Sequence, residues 1–280
     1  MKVLGVIPAR YASTRFMGKP LVLIQGKTMI QRVYEQAKKA KSLTKVVVAT
    51  DDDRIYQHVL SFGGEVVMTS DAHHSGTDRC AEVIDKVNSD MIINSLGQDT
   101  PPVFYGFKPA REKVTFDAVV NIQGDEPFIN PSQIDKVVEI LRNTDGTSRG
   151  NREGGRIATL AIQLKDWADI QNPNIVKVVF DAQGKAVYFS RSPIPYLRHL
   201  PIGEWHTSNA FFKHIGLYAY TKSVLREIAQ LPPSRLEQLE ALEQLRWLEN
   251  GYTIGVGITD IETIGIDTPE DLEKINVLLI

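Results

Sequence analysis

The chain has a single cysteine, Cys80, among its 280 residues. A lone thiol excludes an internal disulfide and any metal site built from several cysteines, and it suits a reducing cytoplasm. Long apolar runs are also missing, and Met1-Lys2-Val3-Leu4-Gly5 leads straight into a strand pattern. We therefore expect neither a signal peptide nor a membrane anchor. Charge of one sign is lacking too: 32 Lys and Arg against 34 Asp and Glu leave a formal net charge of -2. That balance argues against a general polyanion binder, so no nucleic-acid partner is expected without a local basic patch. No internal repeat or low-complexity tract is visible. What is present, 42% hydrophobic and 24% charged residues, describes an ordinary globular protein long enough for one large or two small domains.

The most informative stretch is Arg10-Tyr11-Ala12-Ser13-Thr14-Arg15-Phe16-Met17-Gly18-Lys19-Pro20. It follows Val3 to Ile7, a short branched run closed by Pro8 that reads as the buried first strand of an α/β sheet. Open α/β sheets bind ligands at the carboxyl ends of their strands. Two arginines and a lysine converging there would neutralise a triphosphate, and Gly18 would let the backbone approach it. The alternative is a solvated basic loop.

Strand patterns then alternate with helical ones. Met29, Ile30, Val33, Tyr34 and Ala37 recur at helical spacing, followed by a strand over 45–50, a helix over 54–62, a strand over 65–69 and a helix over 76–87. This points to an α/β fold, a mainly parallel mixed sheet with helices on both faces. Residues 89–115, rich in Pro and Gly, read as a surface insertion, although Met91-Ile92-Ile93 offers a short strand. Regularity returns with a strand over 117–122 and a helix over 132–142. Asp145 to Gly155 reads as a flexible loop. Strands are expected over 157–164, 175–180, 186–190 and 215–220, with an irregular stretch from Pro193 to His214. One amphipathic helix is expected over 235–250, its stripe of Leu236, Leu239, Leu242 and Leu245 facing the core. The whole reads as one mixed domain, 1–280, with a smaller β-rich portion inserted between its last elements, of which 190–222 is a part.

Two carboxylate motifs could carry metal chemistry. Gln123-Gly124-Asp125-Glu126-Pro127 follows a buried strand at the same sheet edge as the first loop, and a hard cation such as Mg²⁺ wants a carboxylate there plus phosphate oxygens. Asp125 is the first choice, because Gly124 lets the chain turn sharply before it; Glu126 could equally serve the turn. Gly265-Ile266-Asp267-Thr268-Pro269-Glu270-Asp271-Leu272 opens the last helix. Capping and the helix dipole account for Thr268 to Asp271 but not for Asp267, which leaves a second metal carboxylate open. On the helix over 235–250, Glu240, Glu243 and Gln244 read as a solvated face.

Several patterns fail. Gly26-Lys27-Thr28 imitates the end of a P-loop, but Leu21 stands where the first glycine belongs. Gly255-Val256-Gly257 lacks the third glycine of a dinucleotide fingerprint. His73, His74 and Cys80 want a fourth zinc ligand. No Gly-x-Ser-x-Gly elbow exists.

Together these residues resemble the 3-deoxy-manno-octulosonate (Kdo) cytidylyltransferase family. The likeness runs through Ile7 to Pro20, Ala49-Thr50-Asp51, His74 to Arg79, Gln123 to Pro127, Asn172-Pro173-Asn174 and Val176 to Val179. It continues through Tyr188 to Arg191, His214 to Tyr218, Leu242 to Arg246 and Gly265 to Leu272. The resemblance implies a fold of the nucleotide-diphospho-sugar transferase type and transfer of CMP from CTP to the sugar acid for lipopolysaccharide synthesis. It implies that CTP meets Arg10, Ser13, Arg15, Lys19, Ser75, Gly76 and Arg79. Lys19, Asp125 and Asp267 are implied as catalytic, with Mg²⁺ on Asp125 and Asp267. The sugar acid falls to Gln123, Arg191, His214, Tyr218, Glu243 and Gln244, which reverses the solvated reading of the last two. A cytoplasmic homodimer is also implied, its contacts and part of the sugar site in the 190–222 portion. Met17, the 89–115 segment and the glycine-rich 145–155 loop depart from the family pattern without removing a motif residue.

In such a reaction the anomeric hydroxyl attacks the α-phosphorus and pyrophosphate leaves in line, so positioning and charge neutralisation matter more than a covalent intermediate. The rival readings are a cytidylyltransferase for 8-amino-Kdo or sialic acid, a sugar-1-phosphate nucleotidylyltransferase, and a metal-dependent glycosyltransferase using Asp51-Asp52-Asp53. A silent nucleotide-binding protein is the last of them.

Overall fold

The computed structural model of the chain describes residues 1–12, 16–93, 115–144 and 156–278. Two compact units form, one from Met1–Asp135 with Thr263–Ile280, the other from Lys136–Glu262. Residues 190–222, read from the sequence as part of a smaller β-rich portion, lie within the second of these units.

In the first unit, strand β1 (Val3–Ala9) is followed by the two-residue strands β2 (Leu23–Ile24) and β3 (Lys27–Thr28), which pair as a small ribbon. Helix α1 (Met29–Ala37) starts at Thr28, whose hydroxyl accepts from the amide of Gln31, and it buries the Met29, Ile30, Val33, Tyr34 and Ala37 face read from the sequence. Strand β4 (Lys45–Thr50), helix α2 (Asp53–Ser61) and strand β5 (Val66–Met68) come next. Helix α3 (Gly76–Ile93) and strand β6 (Ala118–Asn121) follow, and helix α4 (Pro131–Asn143) starts at the end of the unit. The strands form a parallel sheet in the order β6-β1-β4-β5. Val3, Leu4, Val6 and Ile7 have no exposed surface, as a central parallel strand covered on both sides requires. From β1 the chain steps one way to β4 and β5, then returns through α3 to β6 on the other side. Right-handed crossovers therefore set α3 on the face opposite α1 and α2. Residues 91–93, read as a strand or a surface excursion, continue α3. The rest of the expected insertion, 94–114, and the 145–155 loop fall outside the described residues.

The second unit takes in the rest of α4, then strand β7 (Ile157–Gln163), helix α5 (Trp167–Gln171), and strands β8 (Lys177–Phe180), β9 (Ala186–Ser190) and β10 (Phe212–Thr221). Helices α6 (Lys222–Ile228), α7 (Arg235–Glu240) and α8 (Glu243–Glu249) precede strand β11 (Ile254–Ile258). Here β11 runs parallel to β7, while β10 is antiparallel to β7 and to β8, and β9 is antiparallel to β8. The chain then returns to the first unit as helix α9 (Pro269–Leu278).

The single helix expected over 235–250 is two helices. Ala241 takes the left-handed conformation at φ 51°, which ends α7. Arg246 folds back to hold the carboxylate of Glu237 through two hydrogen bonds of 2.7 and 2.5 Å, nine residues away in sequence. In a continuous helix, nine residues would separate those groups by about 13 Å. The leucine stripe is broken accordingly: Leu242 and Leu245 are buried, Leu236 is half-buried and Leu239 is 71% exposed.

Gly124 marks the tightest backbone approach in the first sheet. A Cβ at this position would lie 2.6 Å from the carbonyl oxygen of Pro8 at the end of β1, and backbone cannot swing aside as a flexible side chain can. Gly124→Ala should therefore cost about 1–3 kcal/mol in a urea titration and displace Asp125 with it. Unchanged stability in that variant would show that the approach is looser than this geometry.

Candidate functional site

The order β6-β1-β4-β5 places a topological switch point between β1 and β6, and ligands of open α/β sheets sit outside the carboxyl ends of the strands at such a point. Three segments meet there. The loop after β1 carries the basic residues, the 123–127 turn follows β6, and α3 begins with Gly76, where a Cβ would press on Asn121 of β6 and on Pro8.

Gly18, at φ 70°, lets the first loop reverse. Its amide donates to the carbonyl of Tyr11 at 2.9 Å, and a single 3₁₀ turn over Lys19–Leu21 follows. The turn delivers Lys19, whose ammonium donates to Asp125 Oδ2 at 2.9 Å and to Asp267 Oδ1 at 3.2 Å. The two carboxylates come from opposite ends of the sequence. They are joined by a backbone hydrogen bond, Ile266 N–H to Asp125 O at 3.0 Å, and the fully buried Ile266 packs with Ile24, Met29 and Ile275. Thr268 and Asp271 cap α9 reciprocally, the Asp271 carboxylate accepting from the amides of Asp267 and Thr268 while Asp271 N–H donates to the Thr268 hydroxyl. Asp267 stands just outside that cap with its side chain half exposed. The residues expected to be catalytic are thus brought together.

Of the other nucleotide candidates, Arg10 is half-buried and donates from Nη2 to the carbonyl of His73. Burial and the neighbouring guanidinium of Arg79 lower its pKa. Ser75 caps α3, its hydroxyl accepting from Asp78 N–H at 3.1 Å while the Asp78 carboxylate takes Ser75 N–H at 3.1 Å. Ser75 and Gly76 therefore sit at the positive end of an 18-residue helix, a place suited to an anion. Arg79, in contrast, is fully buried. Its Nη2 donates to Asp51 at 2.7 Å and its Nη1 to the Thr69 hydroxyl, so it ties the ends of β4 and β5 together. Gln123 is half-buried two residues beyond β6. Ser13 and Arg15 lie outside the described residues.

Asp51-Asp52-Asp53 has structural employment: Asp51 holds Arg79, and Asp52 caps α2 and pairs with Arg54. His73 pairs with Glu82, and Cys80 is buried. No cluster of three or more His, Cys, Asp or Glu side chains suited to a metal exists among the described residues.

In the second unit, the sugar candidates gather around β10 and the α7–α8 break. His214 packs edge-on to Phe189 with centroids 5.1 Å apart, and 5.2 Å from Tyr218. Enclosure by protein pushes the His214 pKa down to about 3. The Tyr218 hydroxyl is buried without a hydrogen-bond partner among the described residues, and burial followed by the nearby Glu243 carboxylate pushes its pKa up. Glu243 opens α8 and Gln244 is buried beside it in sequence. Arg191 donates from Nε to Glu240 O at 2.7 Å, from Nη1 to Pro173 O at 3.0 Å and from Nη2 to Ala241 O at 3.2 Å. Two of its five N–H groups hold the turn that ends α7 and a third holds Pro173, leaving one on each Nη.

Sequence reading missed three contributors. Lys177 is fully buried and donates to the carbonyls of Asn172, Ile175 and Arg191 at 2.9, 2.6 and 2.6 Å. Glu240, read as solvated, accepts from the Ser190 hydroxyl at 2.7 Å and from Arg191 N–H at 2.9 Å. Thr159 of β7 contacts His214. A lysine amid the apolar run Val176 to Val179 was a readable signal for the first; the other two gave none.

A phosphate-directed loop and paired carboxylates at the switch point of a parallel sheet define a nucleotidyltransferase. A family model described as cytidylyltransferase matches residues 4–104 and 105–264. The chain is 51% identical over 278 residues to the 3-deoxy-manno-octulosonate cytidylyltransferase of Parabacteroides distasonis, covering 98% of this chain and 96% of that one. It is 50% identical over 276 residues to the protein of the same description in Bacteroides thetaiotaomicron, with the same coverage. A solved CMP:2-keto-3-deoxy-manno-octonic acid synthetase, complexed with CTP, superposes with a TM-score of 0.80 at 38% identity, covering 100% of this chain and 98% of that one. The chain belongs to the cytidylyltransferase family and, within it, to the 3-deoxy-manno-octulosonate cytidylyltransferases.

The low His214 pKa carries a consequence for stability. An unfolded histidine takes a proton near pH 6.5, whereas the folded one resists until about pH 3. The unfolded state therefore binds the extra proton in that window, and stability falls as pH drops through it, by about 1.4 kcal/mol per pH unit. Urea titrations at pH 7 and pH 5 should show the wild type losing about 2 kcal/mol more than His214→Gln. Equal losses would assign the proton uptake to another group.

Proposed function

We propose that this enzyme couples CTP to the sugar acid Kdo, releasing pyrophosphate and giving CMP-Kdo for lipopolysaccharide synthesis, with Mg²⁺ bound at Asp125 and Asp267. The observation that carries the reading is the convergence of Asp125 and Asp267 on the Lys19 ammonium. Two carboxylates, with no third His, Cys, Asp or Glu clustered beside them among the described residues, suit Mg²⁺, which takes one or two carboxylates and completes its shell with phosphate oxygens and water. When bound, Mg²⁺ supplies charge neutralisation at the phosphates and a lowered pKa for the attacking hydroxyl. Lys19 adds a point charge for a phosphoryl oxygen, and Arg10 with the α3 N-terminus favours the rest of the triphosphate. The buried Tyr218 hydroxyl offers a hydrogen bond that a polyhydroxylated ligand can complete. The chain supplies no separate general base in this reading; the attack depends on alignment and charge.

The proposal includes a cytoplasmic homodimer. No helix among the described residues is long and apolar enough to cross a membrane.

Pyrophosphate release from CTP should be measured with Kdo, 8-amino-Kdo, sialic acid and a sugar 1-phosphate. Release should be fastest with Kdo; preference for another acceptor would replace the substrate, and release with none would end the reading. Asp125→Asn and Asp267→Asn should each lower turnover by about a hundredfold or more while the fold persists. The double variant should be little worse than the poorer single one, because groups serving one ion act as a unit. Near-normal turnover of either single variant at saturating Mg²⁺ would remove the shared ion.

A further inference from the structure

β10 carries a bulge where it passes Thr159. Ile215 pairs with Leu160 and Tyr218 with Thr159, so Gly216 and Leu217 are extra residues on the β10 side. The fully buried Thr159 hydroxyl lies 3.0 Å from Ile215 O, 2.9 Å from Leu217 O and 3.0 Å from His214 Nε2. A hydroxyl has one proton and two lone pairs, and a carbonyl oxygen can only accept. The single Thr159 proton is therefore committed to the bulge carbonyls. Were Nε2 bare, it would compete with both carbonyls for that proton, and two of the three acceptors would face lone pairs. Nε2 must therefore carry a hydrogen and donate it to Thr159 Oγ1. A neutral imidazole has one N–H, so Nδ1 is left as an acceptor, and it makes no hydrogen bond among the described residues. The half-buried ring packs against Phe189 and Tyr218, and the desolvation this brings favours its neutral form.

We infer that Thr159 is a positioning residue for the sugar acid: it holds the β10 bulge, fixes His214 in the Nε2–H tautomer and so makes Nδ1 an acceptor for a sugar hydroxyl. An imidazole in this state cannot donate to the sugar's carboxylate through Nδ1, so His214 reads a hydroxyl. The inference rests on the proposed placement of the sugar acid at His214, and its spectroscopic part can be examined without substrate.

The test combines ¹⁵N-histidine NMR of the full-length enzyme with kinetics of Thr159→Val, which keeps the shape and loses the hydroxyl, and of Thr159→Ser, which keeps the hydroxyl. The free wild type at neutral pH should show His214 with Nε2 protonated and Nδ1 bare. This reading needs no variant, and an Nδ1–H or charged ring would overturn the inference. In Thr159→Val the tautomer should become mixed or reversed, with the KM for Kdo rising about tenfold, one hydrogen bond's worth, and the KM for CTP unchanged. Thr159→Ser should restore both readouts. An unaltered tautomer in Thr159→Val, or an altered one with the sugar KM unmoved, would overturn the role of Thr159. A His214→Gln enzyme with a normal KM for Kdo would instead overturn the placement of the sugar at His214. These outcomes separate failure of the device from failure of the site.

Discussion

Two carboxylates held at one ammonium are the constraint on which the first unit's chemistry depends. Like charges brought close in a medium of intermediate dielectric repel by several kcal/mol, on the order of 4 kcal/mol at about 4 Å. Asp125 and Asp267 can share a corner only if a cation always stands between them. Lys19 supplies it in the free protein, at 2.9 and 3.2 Å. The corner itself is built from backbone. Gly124 presses on the Pro8 carbonyl, Ile266 donates to Asp125, and a buried apolar cluster anchors the returning chain. The carboxylates are therefore set by the sheet and core and not by their own flexible side chains. That is the preorganisation an electrostatic mechanism needs.

The second unit spends its buried charge differently. Lys177 and Arg191 between them donate six hydrogen bonds to main-chain carbonyls, and Glu240 returns two acceptors to Ser190 and Arg191. Burial lowers the Lys177 pKa, yet three carbonyl dipoles at 2.6 to 2.9 Å repay part of that desolvation. The product is a defined path for chain that would otherwise be loop: Asn172 to Ile175, the end of β9 and the α7–α8 turn. Glu243 and Gln244 begin the helix that this turn releases. A network of charges thus fixes where two neutral or singly charged side chains stand.

Much of the first unit was legible because its residues obey one local rule at a time. The branched run at β1, the α1 face and the cap at Asp267-Thr268-Pro269 each announce themselves by spacing or residue type. Asp125 was readable from a glycine placed before a carboxylate at a strand end. Its pairing with Asp267 was not, since the two are joined by a backbone contact between distant segments; the family likeness supplied it. Arg79 shows what a motif leaves out: its Nη groups hold Thr69 and Asp51, and its buried Nε has no partner among the described residues. The helix over 235–250 misled because a leucine stripe records apolar spacing and is blind to one left-handed residue. Ala241 carries no glycine or proline signal, and the fold-back shows only in contacts between distant residues, Arg246 with Glu237 and Glu249 with the amide of Leu236 among them.

The two departures that periodicity could not foresee, the α7–α8 break and the β10 bulge, both fall among the residues assigned to the sugar. A regular strand fixes a side chain every second residue on one face, and a regular helix fixes one every third or fourth. A small polyhydroxylated acid needs donors and acceptors at spacings that neither period supplies. Inserting Gly216 and Leu217 changes where Tyr218 falls against Thr159, and ending α7 at Ala241 starts a new helix at Glu243. Each irregularity frees main-chain carbonyls that regular structure would have satisfied, and each is answered by one side chain: the buried Thr159 at the bulge, the half-buried Arg191 at the turn. Local rules are broken where recognition needs a different spacing, and the compensating residue sits next to the break. With the sugar acid placed as proposed, the compensators belong to the site as much as the side chains they position, although a motif comparison would pass over Thr159.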